Sequence, residues 1–120
     1  MSTEKNIKKI EKLTQKKKVD KLIGFLKNND KDTRLAAIRS LRNFGDNDNA
    51  YNNLISILNT SDTDERIAAA EALSSSTRES ACTYLGHLIG NETNEQAITV
   101  MKNAISSIRQ NISALHSANI

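Results

Sequence analysis

The chain has 120 residues, the size of one domain, and a chain of this size can bury a core without disulfides or metals. Its one cysteine, Cys82, excludes an internal disulfide and favours a reducing, cytoplasmic location. The first residues predict no signal peptide, and no stretch approaches the roughly 20 apolar residues of a membrane span. The chain lacks proline and tryptophan and is rich in Leu, Ile, Ala and Lys at helical spacing, which predicts an all-α fold.

The net charge of +3 is unevenly distributed along the chain. Residues 1–29 contain nine lysines against three acidic residues, whereas the rest of the chain contains eight basic and eleven acidic residues. A first helix is predicted over about 3–17, with Ile7, Ile10, Leu13 and Thr14 on one side. Residues 1–18 are therefore predicted to form a basic helix that caps the N-terminal end of the remaining fold.

The chain after residue 18 repeats itself. Residues 19–41 and 51–73 align without a gap at an offset of 32, with nine of 23 positions identical. Self-similarity at such a period is typical of stacked helical hairpins. Residues 19–120 are therefore predicted to form a repeat domain with repeats at about 19–46, 47–76 and 77–112. Its helices are predicted near 18–28, 32–44, 48–59, 63–75, 78–89 and 94–110.

The residues between the predicted helices indicate where each helix begins or ends. Asp-x-Asp occurs at 30–32, 46–48 and 62–64, and each is a candidate helix N-cap because a carboxylate accepts bonds from free backbone N–H groups. Asp62 with Glu65, and Ser76 with Glu79, have the spacing of a capping box. Gly45 lies where a helix should stop and is predicted as a C′ glycine.

The strings DKDTRLAAIRSLRNFGD and DTDERIAAAEAL resemble the second helix of HEAT repeats, and are most similar to the short HEAT-like repeat of phycobilisome (PBS) lyases. The resemblance covers about residues 19–110. It implies an α-solenoid, a right-handed superhelix of about three hairpins, that binds partners on the concave face of the second helices. It also implies a polar ladder between repeats, formed by Asp30 or Asp32 with Arg34 and by Asp62 or Asp64 with Arg66.

The sequence lacks the residue patterns that are typical of catalytic or metal sites. His87 and His116 are far apart and lack metal-ligand spacing, and the His-Glu motifs of the hydroxylases with this fold are absent. Cys82 has no neighbouring base and is predicted to be a buried or half-buried structural residue. The turn at 46–48 lacks the glycine and glutamate of a calcium loop. No enzyme activity, cofactor or metal is therefore predicted.

A protein or peptide is the predicted partner. The exposed positions of the second helices form a mixed-charge ridge, in which residues 39, 71 and 102 are treated as equivalent and alternate in sign. The predicted binding residues are Arg39, Arg42, Asn43, Glu71, Ser74, Ser75, Lys102, Asn103 and Ser106.

Two alternative functions and the oligomeric state stay open. The basic patch of Lys9, Lys12, Lys16, Lys17 and Lys18 would suit nucleic acid through its phosphates, although no aromatic residue precedes Phe25 to stack on bases. The chain could instead be a subunit of a complex that resembles the bilin lyases. It is expected to be a monomer or a weak homodimer, with Ile112, Leu115 and Ile120 as candidates for an exposed C-terminal end.

Overall fold

The computed structural model of the chain describes residues 2–118, and this part folds into seven α-helices without a strand. The helices are α1 (Thr3–Gln15), α2 (Val19–Gly24), α3 (Lys31–Ser40), α4 (Asp48–Ile57), α5 (Thr63–Leu73), α6 (Glu79–Ile89) and α7 (Glu95–Ala118). Short 3₁₀ turns extend α2 over Phe25–Lys27 and α3 over Leu41–Phe44. The predicted all-helical repeat fold is confirmed.

The helices form two layers. One layer contains α1, α3, α5 and α7 side by side, and the other contains α2, α4 and α6, each of which packs on the next helix of the chain. The hairpins are therefore α2 with α3, α4 with α5, and α6 with α7. Because α1 packs beside α3 in the first layer, it takes the place that the second helix of a preceding hairpin would occupy.

The core is aliphatic and repeats with the hairpins. Leu22, Leu54 and Leu85 occupy matching positions in α2, α4 and α6, and each is 0% exposed. Helix α5 has neighbours on both sides, and its alanines at 68, 69, 70 and 72 are all buried. Small side chains on most of its circumference let α3 and α7 approach closely.

The helices of the first layer begin at matching caps. Asp30, Asp62 and Asn94 each accept a hydrogen bond from the backbone N–H three residues further on, at 2.9–3.0 Å. Asp30 and Asp62 thus act as the predicted N-caps of α3 and α5. Since each cap lies 32 residues after the preceding one, α7 begins in the register of α3 and α5.

The middle Asp-x-Asp turn differs from its prediction. Asn47 caps α4, accepting from a backbone N–H at 3.1 Å, and Asp46 lies one residue too early for this role. The Asp46 carboxylate instead accepts bonds from the Ser76 hydroxyl at 2.8 Å and from the Thr77 backbone N–H at 3.0 Å. The prediction that Asp46 is an N-cap is therefore wrong: it ties its own turn to the turn of the next hairpin.

The predicted capping box of Ser76 with Glu79 is also wrong. Helix α6 begins after Arg78, which is its N-cap residue and has no side-chain capping bond. The Ser76 hydroxyl, already donated to Asp46, accepts from the Arg78 backbone N–H at 3.0 Å. Ser76 therefore organises the turn before α6 and does not cap the helix.

Gly45 ends its helical turn as predicted, although its φ of −58° is right-handed and not that of a left-handed C′ glycine. The reason for glycine is space. A Cβ at this position would overlap the Ser75 hydroxyl and would lie 3.1 Å from the Ser76 backbone nitrogen. The turn that contains Gly45 and the turn that contains Ser75 therefore pack too closely to leave room for a side chain at position 45.

A polar ladder joins the repeats, with glutamates in place of the predicted aspartates. Arg34 Nε donates to Glu65 Oε1 at 3.0 Å, and Arg66 donates to both carboxylate oxygens of Glu92 at 3.0 and 3.1 Å. Asp30 and Asp62 cap α3 and α5 and do not pair with these arginines; Asp62 and Asp64 pair instead with Lys31 of the preceding repeat, at 3.0 and 2.9 Å. The ladder therefore runs from each arginine to the next repeat.

Helix α7 continues to Ala118, beyond the predicted end near residue 110. No glycine or proline interrupts it, and Ile108 is fully buried. The Asn111 side chain donates to the carbonyl groups of Ser74 and Ser76 at 2.9 and 3.1 Å. These bonds provide partners for backbone carbonyl groups that follow the C-terminal end of α5. Ile112 is half-buried and Leu115 is 50% exposed, while Ile120 lies outside the described residues.

Candidate functional site

The candidate binding surface is the exposed side of the layer formed by α1, α3, α5 and α7, called the outer face below. It is the surface of the second helices for which the resemblance implies a concave binding face. Four predicted residues, Arg42, Glu71, Ser74 and Asn103, line one pocket of about 220 Å³ on this face. Val100 and Ala104 supply its apolar wall, and Ser107 completes the lining. The fold thus brings side chains from α3, α5 and α7 to one place, although they are up to 61 positions apart in the chain.

A second pocket, of about 460 Å³, lies between α1 and α3. Of the predicted binding residues, Arg39 alone lines this pocket. Its wall is mostly apolar or uncharged and is formed by Ile7, Ile10, Thr14, Gln15, Ala36 and Ser40, with Glu11 as the acidic member. Glu11 is not among the residues predicted from the sequence, because the sequence predicts α1 to be a cap at the end of the stack. Since α1 belongs to the same layer as α3, its side chains reach the outer face.

The charged residues of the two pockets have no ionic partners among residues 2–118. Glu11, Arg39, Arg42 and Glu71 are all exposed, and no salt bridge or side-chain hydrogen bond within residues 2–118 involves their charged groups. The ion pairs of that region lie instead at the turns and in the ladder. Charges of both signs are therefore free to meet a partner on the outer face.

The remaining predicted residues line neither pocket. Lys102 is exposed, but the caps place Asn103, not Lys102, in the position equivalent to Glu71, so the predicted equivalence of residues 39, 71 and 102 is wrong by one residue in α7. The Ser75 hydroxyl donates to the Arg42 carbonyl group and is used inside the fold. Asn43 and Ser106 are exposed.

The lysines of the basic patch are all exposed and are not part of any salt bridge in the described chain. Lys9, Lys12 and Lys16 follow one another at helical spacing, and Lys5 extends the same stripe. Lys17 and Lys18 follow the end of α1 and line a pocket of about 400 Å³ that also includes Lys21. On the apolar side of α1, Ile10 and Leu13 are buried and Ile7 is half-buried.

The groups considered for catalysis lie apart from one another. Cys82 is 6% exposed, as predicted, and burial raises the pKa of its thiol, with a smaller contribution from the negative charge of Glu79. His87 and His116 are exposed. Across residues 2–118, no three His, Cys, Asp or Glu side chains are grouped so that they could hold a metal ion. Nor is any helix in this range both long and apolar enough to cross a membrane.

Two layers of stacked helical hairpins, joined by an inter-repeat ladder, define an α-helical repeat protein. A family model described as HEAT repeats matches residues 19–106, and the chain belongs to this family. HEAT repeats generally mediate protein–protein interactions and are typically non-catalytic. Searches of curated proteins and of solved structures found no match.

Proposed function

We propose that this protein is a non-catalytic scaffold module that binds a protein or peptide through its outer face, in the cytoplasm. The observation that supports this proposal is the convergence of Arg42, Glu71 and Asn103 from three successive hairpins around one pocket. Unpaired charges of both signs beside small apolar walls favour a partner that also carries both signs. The cytoplasmic location is proposed because the single cysteine is a free, buried thiol.

A small molecule fits this surface less well. Ligand pockets usually measure about 300–1,000 Å³ and enclose most of their ligand. The pocket around Glu71 has a volume of only about 220 Å³; the pocket between α1 and α3 reaches about 460 Å³, but both are open depressions that would leave much of a small ligand uncovered. Shallow depressions of this kind are suited to single side chains of a larger partner.

The test is affinity capture from lysate followed by mass spectrometry, using the full chain and the double variant Arg39→Glu/Arg42→Glu. We expect this variant to lose the partners that the wild type captures, with an unchanged free energy of unfolding. Lys27→Glu/Arg109→Glu is the matched control, because it makes the same change of charge at exposed sites away from both pockets. Identical sets of captured proteins for wild type and both variants would exclude the outer face as the binding surface.

The exposed lysine stripe on α1 supports a second candidate, which is nucleic-acid binding. Lys5, Lys9, Lys12 and Lys16 are exposed along one side of α1 and just past its end, so they can contact phosphates, whereas Ile10 and Leu13 are buried and cannot enter a lipid bilayer. A gel shift with duplex DNA that disappears at high salt and in Lys9→Gln/Lys12→Gln/Lys16→Gln would support it. Equal retardation by wild type and variant would exclude the lysine stripe as the binding site, and no retardation by the wild type would exclude nucleic-acid binding.

The oligomeric state belongs to the same proposal. Leu115 is half exposed on α7 and Ile112 is partly covered, which leaves a small apolar surface. We expect a monomer that dimerises weakly at high concentration, since two side chains bury far less than the roughly 1,200 Å² of a stable interface. Light scattering across a concentration series measures this, and a constant dimer mass at micromolar concentration would contradict it.

A further inference from the structure

The charged residues that line the two pockets of the outer face alternate in sign from helix to helix. Glu11 on α1 is followed by Arg39 and Arg42 on α3 and then by Glu71 on α5, while the pocket-lining residues of α7 are uncharged. We propose that the outer face binds an extended peptide segment that carries basic, acidic and basic side chains at every third residue. This inference rests on the proposed function and specifies the chemistry of its partner.

The spacing follows from helix and strand geometry. Helix α1 packs directly on α3, and α3 packs directly on α5. Packed helices lie about 8–10 Å apart, and an extended chain advances about 3.3 Å per residue. A segment that crosses the layer therefore moves from one helix to the next in about three residues. Its basic residues meet Glu11 and Glu71, and its acidic residue meets the arginine pair between them.

An extended segment fits the outer face better than a helix does. A helix advances only about 1.5 Å per residue and is about 10–12 Å wide with its side chains, which is too wide for the depressions. The pocket beside Ile7 and Ala36, about 460 Å³, can take an intervening apolar side chain. The smaller pocket beside Glu71, about 220 Å³, can take a small polar one.

The sign pattern also discriminates between classes of partner. A nucleic acid carries only negative charge, so Glu11 and Glu71 would repel it on this face. A uniformly basic segment would be repelled by Arg39 and Arg42 in the same way. The alternating pattern reads the same in both chain directions, so the complementary peptide can be designed without knowing its orientation.

Fluorescence anisotropy with three labelled seven-residue peptides tests the inference on the full chain. The first has lysine at positions 1 and 7 and glutamate at position 4, with alanine and serine between them. The second exchanges every sign. The third has the composition of the first, with both lysines moved to one end. Each exposed ion pair contributes about 1.4- to 5-fold in affinity, so three pairs give about 3- to 150-fold. We expect the first peptide to bind at least about 3-fold more tightly than either of the others.

A charge-exchanged variant provides the reciprocal test. Glu11→Lys/Arg39→Glu/Arg42→Glu/Glu71→Lys should prefer the second peptide to the first, and Arg39→Glu/Arg42→Glu alone should lose the preference. Both variants change only exposed side chains, and circular dichroism checks that they fold.

The possible failures have different meanings. If the wild type binds all three peptides within about 2-fold, the inference is overturned. If Arg39→Glu/Arg42→Glu nevertheless loses its captured protein, the proposed function stands and only the peptide pattern is wrong. If the same variant captures its partners unchanged, the proposed function fails as well.

Discussion

Replacing Arg66 with methionine should show how strongly the ladder holds the repeats together. Arg66 is bound through both guanidinium edges: to the Glu92 carboxylate at 3.0 and 3.1 Å, to the Thr60 carbonyl group at 3.0 Å and to the Thr63 hydroxyl at 3.1 Å. The side chains of Arg66 and Glu92 are 17% and 7% exposed. Methionine keeps much of the packing volume but leaves the Glu92 charge buried without its counter-ion.

The expected loss is about 3 kcal/mol in the free energy of unfolding at pH 7. Breaking a buried ion pair by removing one partner costs about 3–5 kcal/mol. The value should lie at the lower end, because Glu92 keeps bonds from the backbone N–H groups of Thr93 and Asn94 at 3.2 and 3.1 Å. For a domain of this size, such a loss lowers the Tm by about 10–15 °C.

The effect should depend on pH. Hydrogen bonds from Arg66 are the main reason that the pKa of Glu92 lies below its ordinary value of 4.5. A lowered pKa in the folded state means that the ionised carboxylate stabilises the protein above the ordinary value, and that this contribution is lost as the pH falls through the folded-state pKa. The difference between wild type and Arg66→Met should therefore be largest at neutral pH and should shrink below the ordinary pKa.

Urea unfolding followed by circular dichroism at pH 7 and pH 3 measures both effects. Arg109→Met is the control, since Arg109 is exposed and in no salt bridge within residues 2–118, and it should change the stability by less than about 0.5 kcal/mol. A loss below about 1 kcal/mol for Arg66→Met at pH 7, or the same loss at both pH values, would refute the reasoning.

Three further predictions concern backbone and packing. Gly45→Ala should destabilise the protein by about 1–3 kcal/mol in urea unfolding, because its Cβ overlaps the Ser75 hydroxyl, and Ser75→Ala in the same chain should recover part of the loss. Lys17 has a φ of 57°, so Lys17→Gly should raise the stability by about 0.5–1 kcal/mol, whereas a left-handed position that tolerates lysine would show no gain. The Cys82 thiol should react with a thiol reagent at pH 7 far more slowly in the folded than in the urea-unfolded protein, and equal rates would contradict its burial.

The sequence alone was sufficient for the repeat, most helix boundaries and the caps Asp30 and Asp62. These features depend on local signals, because a cap bonds to a backbone N–H three residues away and an amphipathic helix shows its buried side in its own periodicity. The aliphatic core could also be predicted, since Leu22 and Leu54 lie at matching places in the aligned repeats. The helical periodicity that predicts the buried positions also predicts that Arg42 and Glu71 are exposed.

The tertiary structure decided which distant groups meet. Glu92 lies 26 residues from Arg66, and Ser76 lies 30 residues from Asp46, and no local pattern selects either partner. The same holds for Glu11, which joins the outer face only because α1 packs beside α3 in the first layer. Hydrogen bonds and charge pairs act over a few ångströms, so they are fixed by how the hairpins stack, whereas helix periodicity and capping are fixed within a few residues of chain.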